Sequence, residues 1–151
     1  MDMLQTFIVA ALAVVSLVIL LKGYYESTHK NNPFGLTPRL FWLGMFVWGD
    51  AVILGIFWLI TSLVVLVLGD WLLFLLIASV FWVIRSLGEI IYWLNQQFST
   101  INRNPPENLR NYHFFKNDSI WFVYQVFWQS VMVFSIILTI YFSSLWVKTF
   151  S

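Results

Sequence analysis

Residues 40–68 of this chain read LFWLGMFVWGDAVILGIFWLITSLVVLVL, and residues 71–98 read WLLFLLIASVFWVIRSLGEIIYWLNQQF. Between these two apolar runs stand only Gly69 and Asp70, residue types that favour turns. An apolar run of about 18 residues or more is long enough to cross a bilayer as a helix. The stretch therefore predicts two membrane-spanning helices that fold back on each other about the Gly69-Asp70 turn.

Two further apolar runs, residues 3–21 and 120–147, flank this hairpin. The chain is 60% apolar and 10% charged, whereas a soluble domain is about 25% charged. We therefore expect an all-α integral membrane protein of one domain, residues 1–151, whose four helices form a transmembrane bundle. Only Asp2 is charged before the first run, and no small-residue cleavage site follows it, so a retained helix is expected rather than a signal peptide.

Basic residues are unevenly distributed among the predicted connections. The two longer loops contain six Lys or Arg residues, whereas the opposite side of the bundle contains only Lys148. The six are Lys22, Lys30, Arg39, Arg103, Arg110 and Lys116. Because cytoplasmic loops are enriched in Lys and Arg, both loops are expected in the cytoplasm and both termini on the non-cytoplasmic side. This topology suits a multi-pass protein of a plasma, inner or organelle membrane.

Three charged residues interrupt the apolar runs: Asp50 in the second, and Arg85 and Glu89 in the third. Asp50 and Glu89 each lie 19.5 residues from the centre of the Gly69-Asp70 turn (69.5 − 50 and 89 − 69.5). A continuous helical hairpin would place both carboxylates at one depth, with Arg85 one turn from Glu89. An unpaired ionisable group is unfavourable within a bilayer by roughly 2.5–3.5 kcal/mol. The sequence therefore predicts a buried cluster of these three residues.

Uncharged polar residues extend the predicted cluster on two helix faces. Tyr92 and Gln96 follow the charged pair at spacings of three and four residues, which places them on the same face of the third helix. Gln125 and Gln129 are four residues apart and share one face of the fourth helix. We expect the glutamines and the charged residues to form a shared polar centre.

Two functions are compatible with such a centre. Either carboxylate could bind and release a proton or small cation, since burial raises its proton affinity and a neighbouring arginine lowers it; this predicts ion or proton transport by an oligomer. Alternatively, Arg85 neutralises a carboxylate and the glutamines bond neighbouring helices, which predicts a non-catalytic accessory subunit of a larger membrane complex. The expected partners are the lipid bilayer and either further copies of the chain or other membrane subunits.

Several other functions are not expected. The chain contains no cysteine, which excludes thiol catalysis and thiolate metal sites. Its net charge is +1 without a clustered basic face, so a nucleic-acid partner is not predicted. No catalytic or metal-binding motif is visible, and we therefore expect neither an enzyme nor a cofactor.

Overall fold

The computed structural model describes residues 1–100, 104–115 and 117–150. Within them the α-helices are α1 (Met3–Thr28), α2 (Trp48–Leu68), α3 (Trp71–Phe98) and α4 (Ser119–Val147), and two short 3₁₀ helices cover Pro38–Leu43 and Pro106–Asn108. All four α-helices are long and apolar enough to span a membrane, which indicates a membrane protein.

Close contacts within the chain divide it into two compact units, Met1–Ile77 and Ala78–Ser151. Unit 1 contains α1, α2 and the first turns of α3. Unit 2 contains the remainder of α3 together with α4. Asp50 therefore belongs to unit 1, and the other predicted site residues belong to unit 2.

In unit 1, α1 and α2 pack closely through small residues. The buried positions recur every three or four residues and include Val9, Ala13, Ser16, Ile19 and Gly23 in α1, and Ala51, Gly55, Trp58, Ser62 and Val65 in α2. A Cβ atom added to Gly23 would lie 2.9 Å from the Cβ of Ala51. One added to Gly55 would lie 3.1 Å from the Cα of Leu20. The two backbones approach closely because the glycines carry no side chain.

The turn between α2 and α3 forms at Gly69 and Asp70. Gly69 ends α2 with a φ of 64°, a left-handed conformation that glycine adopts without a steric penalty. Asp70 begins α3 by accepting a hydrogen bond of 3.0 Å from the N–H of Leu73. The amino group of Met1 donates to the carbonyl of Gly69 at 2.9 Å, so the start of α1 lies beside the end of α2. The two helices are therefore antiparallel.

Helix α1 extends seven residues beyond Leu21, where its apolar run was predicted to end (28 − 21). The additional turns contain Lys22, whose ammonium group lies 5.1 Å from the centre of the Trp48 ring. Just beyond the helix, Lys30 forms a 2.8 Å ion pair with Glu26, and this hydrogen bond raises the pKa of Lys30. A helix does not need to end where its apolar run ends, because polar turns can continue it outside the lipid.

Helix α2 begins at Trp48, and the prediction that it begins at Leu40 was wrong. Residues 37–46, called here the Thr37–Phe46 loop, are closed by an antiparallel bridge between Leu36 and Val47. Gly44 has a φ of 75°, which interrupts any continuous right-handed helix. Hydrophobicity predicted a helix here because an apolar run alone does not distinguish a helix from a buried loop.

The Thr37–Phe46 loop runs back along α2. The indole N–H of Trp58 donates to the carbonyl of Leu43 at 3.1 Å. Trp58 lies ten residues after the first residue of α2 (58 − 48), which is about 15 Å along the helix axis. Leu43 and Met45 are buried, and the hydroxyl of Thr37 donates to the carbonyl of Met45 at 3.0 Å. The loop is therefore a packed part of unit 1.

In unit 2, α3 and α4 meet through long side chains. Trp93 stacks on Tyr124 with ring centres 4.7 Å apart, and Trp82 stacks on Trp128 at 6.4 Å. Trp93 and Trp128 are buried. Helix α3 coincides with the apolar run 71–98, and α4 begins at Ser119, one residue before the run 120–147. Stacked aromatic rings, rather than small residues, connect this pair of helices.

We predict that Gly23→Ala destabilises the protein, because its new Cβ atom would overlap Ala51 and force the two backbones apart, at about 1–3 kcal/mol. Gly88→Ala is the matched control, since the nearest atom to its new Cβ is 4.0 Å away on Arg85. Alanine at that position should instead stabilise the helix by about 1 kcal/mol, because alanine has a higher helix propensity than glycine. Thermal melting in detergent–lipid micelles measures both. Equal melting temperatures for the two variants would contradict the close α1–α2 packing.

Candidate functional site

Asp50 stabilises the start of α2. It lies in the first turn of the helix, half-buried, and its Oδ2 accepts a hydrogen bond of 3.0 Å from the N–H of Phe46. The first two N–H groups of α2 donate to the carbonyls of Gly35 and Pro33, at 3.0 and 2.8 Å. A carboxylate is also favoured near a helix N-terminus, where the helix dipole is positive. Asp50 thereby connects α2 to the Thr37–Phe46 loop.

Arg85 and Glu89 form an ion pair along one face of α3. A terminal guanidinium nitrogen of Arg85 lies 3.1 Å from a carboxylate oxygen of Glu89, and the two side chains are 19% and 13% exposed. Ser86 is fully buried, and its hydroxyl donates to the backbone carbonyl of Trp82. The two charges largely neutralise each other within a single helical turn.

A buried cluster of three charges is not seen in residues 1–100, 104–115 and 117–150. The prediction assumed one continuous helix from Leu40, which would place Asp50 ten residues inside it (50 − 40). Because α2 begins at Trp48, Asp50 is only two residues inside the helix (50 − 48). Asp50 therefore lies in the first turn of α2 rather than in the middle of a longer helix, and its partner is the backbone N–H of Phe46.

Tyr92 and Gln96 converge on Asn104, in the connection between α3 and α4. The side-chain amide of Asn104 donates to the hydroxyl of Tyr92, and its backbone N–H donates to Gln96 at 3.2 Å. The carbonyl of Asn104 accepts a hydrogen bond of 3.0 Å from the indole of Trp121. Tyr92 and Gln96, which were predicted to share a face of α3, are therefore hydrogen-bonded to the segment that connects α3 to α4. The sequence patterns did not single out Asn104 or Trp121 as partners of this face.

Gln125 bonds α4 to α3 through Gln97, a residue that the sequence patterns did not single out. The amide of Gln97 donates to the side-chain oxygen of Gln125 at 2.7 Å and to the carbonyl of Trp93 at 3.2 Å. Gln97 follows Gln96 directly, so it lies about 100° around the helix from the predicted polar face. A search for any amide inside an apolar run, irrespective of face, would have found it.

Gln129 differs from Gln125 in its surroundings. It is exposed on α4, and within the described residues its side chain makes no hydrogen bond. It belongs to a shallow groove on one side of α4, lined by Val126, Gln129, Ser130, Val133, Phe134 and Ile137. Within the described residues the two glutamines therefore share no hydrogen-bond partner, although they are four residues apart on one face of α4.

The described residues contain no group of three or more His, Asp or Glu side chains that could hold a metal ion. Three buried polar atoms in the same part of the chain lack a hydrogen-bond partner: the hydroxyls of Ser16 and Ser27 and the indole nitrogen of Trp93. Serine packed in the close α1–α2 contact acts there as a small residue. The chemistry available at the site is therefore that of the carboxylates, the guanidinium and the amides.

Comparisons of the chain with protein-family models, with curated proteins and with solved structures find no match. A function is therefore inferred from the geometry of the chain's own residues.

We predict that Gln97 and Gln125 are energetically coupled. In a double-mutant cycle, Gln97→Leu and Gln125→Leu should be non-additive by about 0.6 kcal/mol, the average for hydrogen bonds between membrane helices, and by no more than about 1.7 kcal/mol. The control cycle pairs Gln97→Leu with Gln129→Leu, which should be additive because no hydrogen bond joins these residues. Denaturant unfolding in mixed micelles measures both cycles. Additivity in the first cycle would show that the bond contributes nothing.

Proposed function

We propose that this protein is a non-catalytic membrane subunit that binds a second membrane-embedded chain through α4. The second chain is another copy or a different subunit. In this proposal the four apolar helices form a transmembrane bundle surrounded by lipid, and both termini lie on the non-cytoplasmic side.

The exposed amide of Gln129 carries this proposal. It lies ten residues after the first residue of α4 (129 − 119), within an apolar helix of 29 residues. Ser130 is also exposed there, but its hydroxyl donates to the carbonyl of Val126 at 3.0 Å. An amide without a partner is unfavourable in lipid, and glutamine commonly forms hydrogen bonds across membrane helices. A helix packed in this groove would supply the partner that Gln129 lacks.

The partners of the other candidate residues support a packing role. Asp50 accepts from the backbone before α2, Arg85 pairs with Glu89, and Gln125 bonds to Gln97. Each of these interactions holds a helix end or joins side chains within one unit. None of them requires a transported ion.

Ion or proton transport is the second candidate function, and the Arg85–Glu89 pair favours it. Arg85 lies fourteen residues after the start of α3 (85 − 71), and Glu89 lies nine before its end (98 − 89). Both side chains retain partial exposure. A carboxylate reached by water beside an arginine can exchange a proton. Four helices are few for a complete pathway, so transport would involve an oligomer.

We predict opposite effects of two matched glutamine substitutions. Gln129→Leu should leave the melting temperature of the dissociated single chain in detergent nearly unchanged, since it removes no hydrogen bond within the described chain, but in nanodiscs it should release the second chain. Gln125→Leu should lower the melting temperature and leave the assembly intact, because its partner Gln97 lies in the same chain. Particle mass in lipid nanodiscs reports the assembly, and thermal melting reports the fold. A wild-type particle with the mass of one chain would overturn the proposal.

Proton flux into liposomes that contain the purified protein distinguishes the two candidate functions. A subunit without a pathway gives no flux above that of empty liposomes. A flux that Glu89→Gln abolishes, with the melting temperature unchanged, would instead establish transport, because the amide keeps the shape of the side chain and cannot take up a proton.

We predict that the α1–α2 connection is cytoplasmic and the carboxyl terminus is not. Of the six basic loop residues, Arg103 and Lys116 lie outside the described residues. Lys22 lies in the last turns of α1, and Lys30, Arg39 and Arg110 lie in the connections between the α-helices. Because the chain has no cysteine, single variants Asn32→Cys and Thr149→Cys can be labelled without background. An impermeant maleimide on intact cells should label Thr149→Cys, and it should label Asn32→Cys only after permeabilisation. The reverse pattern would invert the topology.

A further inference from the structure

The Thr37–Phe46 loop and the residues just before it present an apolar surface outside the helices. Leu36 is 80% exposed and Trp42 is 60% exposed, and Phe34 and Phe41 are also exposed. Arg39 is the one charged residue in the loop. Exposed apolar side chains grouped in one short segment are typical of a surface that contacts a membrane or another protein. This surface therefore requires an apolar environment.

Several backbone groups of the loop, and the indole of Trp42, are hydrogen-bonded within the protein. Backbone bonds run from the N–H of Leu40 to the carbonyl of Thr37 at 2.9 Å, and from the N–H of Met45 to the carbonyl of Leu40 at 3.3 Å. The indole N–H of Trp42 donates to the carbonyl of Arg39 at 3.1 Å. Irregular backbone can approach lipid only when its hydrogen bonds are made internally. These groups of the loop meet this requirement.

The position of the loop indicates that the bilayer is the apolar environment of its exposed side chains. The loop precedes α2 directly, and the Trp58–Leu43 hydrogen bond fixes it along a helix that is apolar enough to span a membrane. Tryptophan and arginine are typical of the zone where headgroups meet acyl chains. A segment fixed beside a spanning helix cannot leave that zone without breaking its contacts to α2.

We propose that the Thr37–Phe46 loop, together with Phe34 and Leu36, is a lipid-binding element of the adjacent leaflet. Its exposed apolar side chains insert at the boundary between headgroups and acyl chains, and Arg39 remains at the level of the headgroups. This role is independent of the assembly proposed for α4.

Spin labels at single cysteines test the proposal directly. Leu36→Cys and Trp42→Cys each carry a nitroxide in the otherwise cysteine-free protein, in vesicles of phosphatidylcholine and phosphatidylglycerol. Asn32→Cys, an exposed position in the same connection, is the aqueous reference. Val18→Cys, an exposed position within α1, is the lipid reference. The measurement is the accessibility of each label to oxygen relative to a water-soluble nickel chelate.

Insertion should raise the oxygen-to-nickel ratio at Leu36 and Trp42 severalfold above that at Asn32, toward the value at Val18. Ratios at both loop positions equal to that at Asn32 would overturn the proposal. Leu36→Cys removes no side-chain hydrogen bond, so its result stands even if the loss of the Trp42–Arg39 bond disturbs the loop.

Discussion

A polar group inside an apolar region must find a hydrogen-bond partner, and this constraint shapes the start of α2. Residues 37–46 do not form an α-helix, so α-helical hydrogen bonds cannot pair their backbone N–H and carbonyl groups. Phe46 donates to Asp50, and Leu43 accepts from Trp58. The charged residue in this apolar run is therefore explained by the irregular backbone in front of it. Without that carboxylate, a half-buried N–H group would lack its acceptor.

The two units use different means to hold their helices together. In unit 1, glycine and alanine let the backbones of α1 and α2 approach closely. In unit 2, stacked rings and the Gln97–Gln125 bond connect α3 and α4. Small-residue contacts tolerate little change in side-chain volume, whereas contacts between long side chains can adjust by rotamer. Unit 1 is therefore expected to be the less tolerant of substitution.

Features that depend on length and composition could be predicted from the sequence. The four apolar helices and the turn at Gly69 follow from run length and from the preference of glycine for left-handed backbone. The start of α2 could not be predicted in this way, because hydropathy does not indicate which apolar residues pack as a loop. Spacing predicted one shared face for Tyr92 and Gln96, but it could not identify Asn104, to which both residues are hydrogen-bonded. Contacts between distant segments lie beyond any local pattern.

The Thr37–Phe46 loop also sets the length of the helix that follows it. Because the loop takes up the first part of the apolar run, α2 has 21 residues and is about 32 Å long. This closely matches a hydrocarbon thickness of about 30 Å, whereas α1, α3 and α4, with 26, 28 and 29 residues, exceed it. In a thinner bilayer these three helices would have to tilt or project further before α2 did. Membrane thickness is thus a variable to which the four helices of this chain would respond unequally.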